Sequence, residues 1–84
     1  MKLSWYEDAW EDYLYFQRED KAVFKKINEL IKDIKRAPFE GVGKPEQLKH
    51  ELSGLWSRRI SKEHRFVYRV LIDEVEIWSC KGHY

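Results

Sequence analysis

The chain has 84 residues, 43% of them hydrophobic and 15% aromatic, and its 16 basic and 15 acidic side chains leave a formal net charge of +1. That length allows one small domain spanning residues 1–84, burying roughly 60–65% of its unfolded surface through a few large side chains, and the composition excludes the disordered class. No stretch reaches the roughly 18 apolar residues of a membrane helix, the first residues carry no export signal, and the lone Cys80 cannot close an internal disulfide, so a reducing cytoplasm is expected.

Residues 2–5 read as a short edge strand. Tyr6, Ala9, Trp10, Tyr13 and Leu14 then recur at helical spacing, with Glu7, Asp8, Glu11 and Asp12 on the other face, which predicts an amphipathic helix from Tyr6 to about Gln17. Asp20 suits the N-cap of a second helix. There Val23, Phe24, Ile27, Leu30, Ile31 and Ile34 share a face, Lys21, Lys25, Lys26, Lys32, Lys35 and Arg36 lie outside, and Pro38 ends the run. A tight link at Arg18 and Glu19 makes the pair an antiparallel hairpin. A Gly/Pro-rich loop over 39–45 and a short helical turn over 46–52 follow. The period then changes to two in residues 55–60, 66–72 and 75–80, whose short connections demand an antiparallel meander. Strand, two helices, then strands is an α+β order: the helical hairpin covers one face of an antiparallel sheet and leaves the other face open for a site.

Charge is unevenly distributed. Residues 1–20 hold six acids against two bases, −4, and residues 21–84 hold fourteen bases against nine acids, +5, a dipolar layout suited to presenting a basic surface to nucleic acid. Motifs for cofactors are missing. There is no phosphate loop with its lysine, no zinc-ligand spacing and no nucleophile elbow; Gly41-Val42-Gly43-Lys44 lacks the flanking strand and helix start of a phosphate cradle, so neither a cofactor nor a metal is expected.

The charged types in the second half suit one reaction. RNA cleavage by its own 2′-hydroxyl needs a base for that hydroxyl, cations for the extra charge on the pentavalent phosphate and an acid for the departing 5′-oxygen. Glu46, Lys49, Arg58 or Arg59, Arg65 and His83 fill these roles. Neighbours on a strand point to opposite faces, so only one of Arg58 and Arg59 can flank the site. His50, near a turn, and His64, in a hairpin connection, read as exposed or locally hydrogen-bonded. Cys80 reads as a small buried hydrophobe, and Trp5, Trp10, Trp56 and Trp78 as core material. The bases of the second helix are read as a solvated face that also suits ribosomal RNA.

At these residues the chain resembles the Txe/YoeB branch of the RelE-like bacterial toxins. The resemblance runs through Leu3-x-Trp5, Tyr13-Leu14-Tyr15, Lys26-Ile27-Asn28-x-Leu30-Ile31-Lys32-Asp33, Pro38-Phe39-Glu40-Gly41-x-Gly43-Lys44-Pro45-Glu46-x-Leu48-Lys49, Ser53-Gly54-x-Trp56-Ser57-Arg58-Arg59-Ile60, Glu63-His64-Arg65-x-Val67-Tyr68 and the terminal His83-Tyr84. It implies a microbial-ribonuclease-like fold and a ribosome-dependent endoribonuclease that cuts messenger RNA in the decoding site without a metal. It further implies a cognate antitoxin, a toxin homodimer, and promoter DNA bound only through the antitoxin complex. By the same resemblance Glu46 is the general base, His83 the general acid, Arg65 and Arg59 bind the scissile phosphate with Lys49 assisting, and Tyr84 places the nucleotide. The rival readings are a module that blocks the decoding site by binding alone and a protein whose main role is pairing with the antitoxin to repress their promoter.

Overall fold

The computed structural model describes residues 1–82. In chain order it comprises β1 (Lys2–Trp5), α1 (Glu7–Glu19), α2 (Lys21–Arg36), β2 (Glu46–Gln47), a single 3₁₀ turn (His50–Leu52), β3 (Trp56–Arg59), β4 (Arg65–Leu71) and β5 (Glu74–Ser79). The expected α+β order is present. The helices follow each other with only Asp20 between them, because α1 runs on through Arg18 and Glu19, the residues expected to form the link. Asp20 is the predicted N-cap: its Oδ1 accepts from Val23 N–H at 3.2 Å.

The meander is extended at both ends. The sheet has five strands in the order β1-β5-β4-β3-β2, and all pairs are antiparallel except β1 with β5, which run parallel with Lys2 opposite Glu74 and Trp5 opposite Ile77. The first strand is thus an edge, as its length suggests, but it pairs with the last strand and makes the sheet mixed. A second departure lies at residues 46–52. Glu46 and Gln47 pair with Ser57 and Trp56 as a strand, and only His50–Leu52 is helical. A helix of so few residues leaves most of its backbone groups without an internal partner, whereas the edge of β3 offers Glu46 and Gln47 a ladder.

Alternation sorts the side chains. Phe66 and Tyr68 of β4, Val75 and Ile77 of β5 and Ile60 meet Ala9 and Phe16 of α1 and Val23, Ile27, Leu30 and Ile34 of α2 in the main core. Val67, whose side chain leaves the other face, forms a second cluster with Leu48 and Leu55, flanked by Trp78. The tryptophans are less buried than predicted: Trp5 and Trp56 pack on the core, but Trp10 is 44% exposed and touches Trp5 edge-on. On β5 two residues oppose one on β4, since Val67 pairs with Ser79 and Tyr68 with Ile77. This bulge resets the alternation and turns Cys80 inward, where its Sγ–H donates to Ala9 O at 3.4 Å. Burial pushes the Cys80 thiol up to about 12, with Asp12 adding to the effect, so it stays protonated and fills space as expected.

The buried Arg58 organises the long connection between α2 and β2. All five of its N–H groups are used: Nε donates to Tyr68 Oη (3.1 Å), Nη1 to Asp33 Oδ2 (2.6 Å) and Val42 O (3.0 Å), and Nη2 to Ala37 O (2.7 Å) and Glu40 O (3.0 Å). Tyr68 Oη in turn donates to Pro38 O at 2.8 Å. Gly41, at φ +121°, closes the loop so tightly that a Cβ there would overlap Asp33 Oδ2. Hydrogen bonds from Arg36, from Val42 N–H and from Arg58 hold the Asp33 carboxyl well below the usual carboxylate range. A carboxyl lowered in the folded state stabilises the fold above the ordinary aspartate range, about pH 4, and loses that effect as pH falls below it. The melting temperature of Asp33→Asn should therefore lie below wild type at pH 7, and the gap should narrow between pH 4 and pH 2; a gap constant with pH would show that the Asp33 charge is not responsible.

Candidate active site

Of the sequence-predicted residues, Glu46, Arg59 and Arg65 come together on the face without helices. Glu46 lies opposite Ser57 on the β2–β3 ladder, Ser57 lies opposite Val67, and Arg59 lies opposite Arg65. Arg59 stands two residues along β3 from Ser57, so Glu46, Arg59 and Arg65 share this face. Arg58 points the other way into the core, as alternation required of one member of the pair. Arg59 is exposed and Arg65 half-buried.

The segment bearing the acid is held at several points. Arg59 N–H donates to Gly43 O at 2.7 Å and Leu48 N–H to Leu55 O at 2.9 Å, while the buried Leu48 pins the strand against Val67. Glu46 and Lys49 line one open groove of about 520 Å³ with Gln47, Leu48, His50 and Leu52. Arg59 and Arg65 stand outside that lining, one and two strands further into the sheet. Among the described residues the ion pairs are Arg36–Asp33, Arg58–Asp33 and Arg69–Glu76, so neither Arg59 nor Arg65 is matched to a carboxylate there. Two guanidinium groups directly opposite on an antiparallel pair repel each other, an arrangement that an anionic ligand relieves.

His83 and Tyr84 lie outside the described residues. The chain leading to them is tied down. Gly82 N–H donates to His64 Nδ1 at 2.9 Å, and Arg65 N–H donates to Gly82 O at 3.0 Å. Lys81 Nζ sits 4.2 Å from the Tyr15 ring centroid and attracts Asp12, whose carboxyl burial nevertheless pushes up. His50 is exposed at the groove, and His64 is half-buried and hydrogen-bonded, as read from the sequence. Sequence reasoning missed what Arg58 does. The signal was available in strand alternation beside a loop rich in free carbonyls, but spacing does not say which carbonyls a buried guanidinium will reach.

The arrangement is that of a small α+β protein with two helices on one face of a mixed five-stranded sheet and Glu46, Arg59 and Arg65 together on the other. Residues 5–84 match the family described as the YoeB-like toxin of bacterial type II toxin-antitoxin system. Over its full length the chain is 63% identical to Toxin YoeB of Escherichia coli (strain K12), covering 100% of both, and 55% identical to Toxin YoeB of Synechocystis, covering 98% of that protein. It superimposes on a YoeB/ParE toxin from Agrobacterium tumefaciens with a TM-score of 0.97 at 51% identity, each chain fully covered. It also superimposes on the toxin in the heterotetrameric YoeB-YefM toxin-antitoxin complex from Staphylococcus aureus, with a TM-score of 0.93 at 52% identity, covering 100% of this chain and 98% of that one. The chain belongs to the YoeB-like toxins of type II toxin-antitoxin systems.

Proposed function

We propose that this toxin is an endoribonuclease that enters the ribosomal decoding site and cuts the messenger RNA there, stopping translation. The observation that carries the reading is the Arg59–Arg65 pair, matched to no carboxylate among the described residues, on the same open face as Glu46. In the proposed reaction Glu46 takes the proton of a ribose 2′-hydroxyl, the 2′-oxygen forms a bond to phosphorus, and the bond from phosphorus to the 5′-oxygen breaks. His83 gives its proton to the leaving oxygen. The products are a 2′,3′-cyclic phosphate and a 5′-hydroxyl end. Arg59 and Arg65 balance the charge that grows on the phosphoryl oxygens, Lys49 assists from the groove, and Tyr84 positions the nucleotide. The guanidinium pair supplies the positive charge that this route requires of a metal-free site.

The exposed Lys25 and Lys32 of α2, on the helix face away from the core, supply a basic surface for ribosomal RNA phosphates. A YoeB dimer and YoeB-YefM complexes from Staphylococcus aureus are the models for self-association and for silencing by a cognate antitoxin, through which promoter DNA would be bound. No helix among the described residues is long and apolar enough to cross a membrane, and translation as a target makes the cytoplasm the site of action.

The test is to map 5′ ends on a reporter messenger RNA in a purified translation reaction. Wild type should create new ends in the decoding site, and Glu46→Gln and His83→Gln should each reduce them by at least about 100-fold at matched ribosome occupancy. Stalled translation without new ends, unaffected by either substitution, would instead establish obstruction by binding alone.

A further inference from the structure

We propose that His64 is a positioning residue that fixes the base of the C-terminal segment, and thereby the approach of His83 to the leaving oxygen; the inference rests on the nuclease reading above. Gly82 precedes His83 directly and sits at φ +76°, a left-handed conformation that gives the chain a sharp change of course. A glycine in that position holds its direction only if its backbone groups are fixed from outside. Both are. The N–H is received by His64 Nδ1 at 2.9 Å, and the carbonyl oxygen receives Arg65 N–H at 3.0 Å. Two consecutive residues thus grip the two sides of Gly82, and the second, Arg65, is one of the proposed phosphate-binding cations.

The imidazole is itself immobilised. Its ring meets the buried Phe16 of α1 edge-on, with 5.0 Å between centroids. The His64 carbonyl accepts from Ile60 N–H (3.0 Å) and Ser61 N–H (3.2 Å), and its N–H donates to Ser61 Oγ at 3.2 Å. A backbone N–H pointing at Nδ1 requires the lone pair there and puts the ring proton on Nε2. His64 therefore contributes one acceptor, held rigidly by the hairpin between β3 and β4 and by α1. Displacing an acid by about 1 Å is enough to cost about 100-fold in rate, so a mobile base at Gly82 would be felt in the chemical step and not in ribosome binding.

Asparagine and glutamine separate this role from general packing, because the asparagine Oδ1 reproduces an acceptor near Nδ1 whereas the glutamine amide reaches past it. Cleavage of ribosome-bound messenger RNA is measured under single turnover, together with ribosome affinity and melting temperature, for the intact wild type, His64→Gln, His64→Asn and His83→Gln. His64→Gln should lower the cleavage rate about 10- to 100-fold with affinity within about twofold, and His64→Asn should recover most of the rate. Equal rates in wild type and His64→Gln, or equal losses in both His64 variants that track their melting temperatures, would overturn the positioning role alone. Cleavage that survives His83→Gln would overturn the nuclease assignment of His83 and this inference with it.

Discussion

Arg58→Ala should cost about 3–5 kcal/mol of stability, because it strips the guanidinium from a buried ion pair and leaves its acceptors unmet. The carbonyls of Ala37, Glu40 and Val42 and the hydroxyl of Tyr68 all take a hydrogen bond from this one side chain. A domain of this size has about 4–13 kcal/mol in all, so the loss consumes a large share of it and lowers the melting temperature by at least about 12 °C. Lysine does not rescue: its three rotatable donors on one nitrogen cannot serve five acceptors arranged around a planar fork. The adjacent Arg59→Ala should behave in the opposite way. Its side chain is exposed and unpaired with any carboxylate among the described residues, so stability should stay within about 0.5 kcal/mol of wild type while messenger RNA cleavage falls about 100- to 1,000-fold. Circular dichroism melts and the end-mapping assay on the same two preparations check both halves. A stable Arg58→Ala protein would remove the loop-organising role assigned to Arg58.

Arg65→Thr should make the protein more stable and nearly inactive. Threonine suits a strand, and its introduction removes the like-charge opposition with Arg59, a gain of about 0.2–1 kcal/mol. The backbone N–H that holds Gly82 O is retained, so the segment leading to His83 keeps this attachment. What is lost is half of the guanidinium charge proposed to meet the developing phosphorane, and cleavage should fall about 100- to 1,000-fold. Urea denaturation alongside the cleavage assay reads both effects. Raising the salt concentration should shrink the stability gain, since screening already relieves the repulsion. A destabilised Arg65→Thr would mean that the Arg65 side chain supports the fold, and the opposed arginines would no longer argue for an anionic ligand.

Much of this architecture is legible in the residues because each signal is local. The 3.6-residue spacing of Val23, Ile27, Leu30 and Ile34 gives α2, the Asp20 cap gives its start, and period-two patterns give β3 to β5. What escapes is non-local. Nothing within Lys2–Trp5 says that it will run parallel to a strand some seventy residues away, and Glu46 and Gln47 become a strand only because β3 offers them an edge. The bulge in β5 is equally hidden: alternation from Val75 and Ile77 puts Ser79 inside, yet Cys80 is the residue that reaches the core. For the site, alternation divides Arg58 from Arg59, but it does not say which of the two faces carries the helices, and it gives no hint that His64 meets Gly82.

The pairing of β1 with β5 bears on the order in which the fold assembles. Trp5 aligns with Ile77, Ser4 Oγ donates to Glu74 Oε2 at 2.6 Å, and Tyr6 N–H donates to Ile77 O at 3.0 Å, so the opening residues find their partners only in the last tenth or so of the chain. Contacts of such long sequence separation are made late and slowly. Until β5 is in place β1 has no strand to pair with, and the sheet stays open on that side. Joining the first strand to the last is therefore the stitch that closes the fold, and the β1 edge is the part of the sheet formed last.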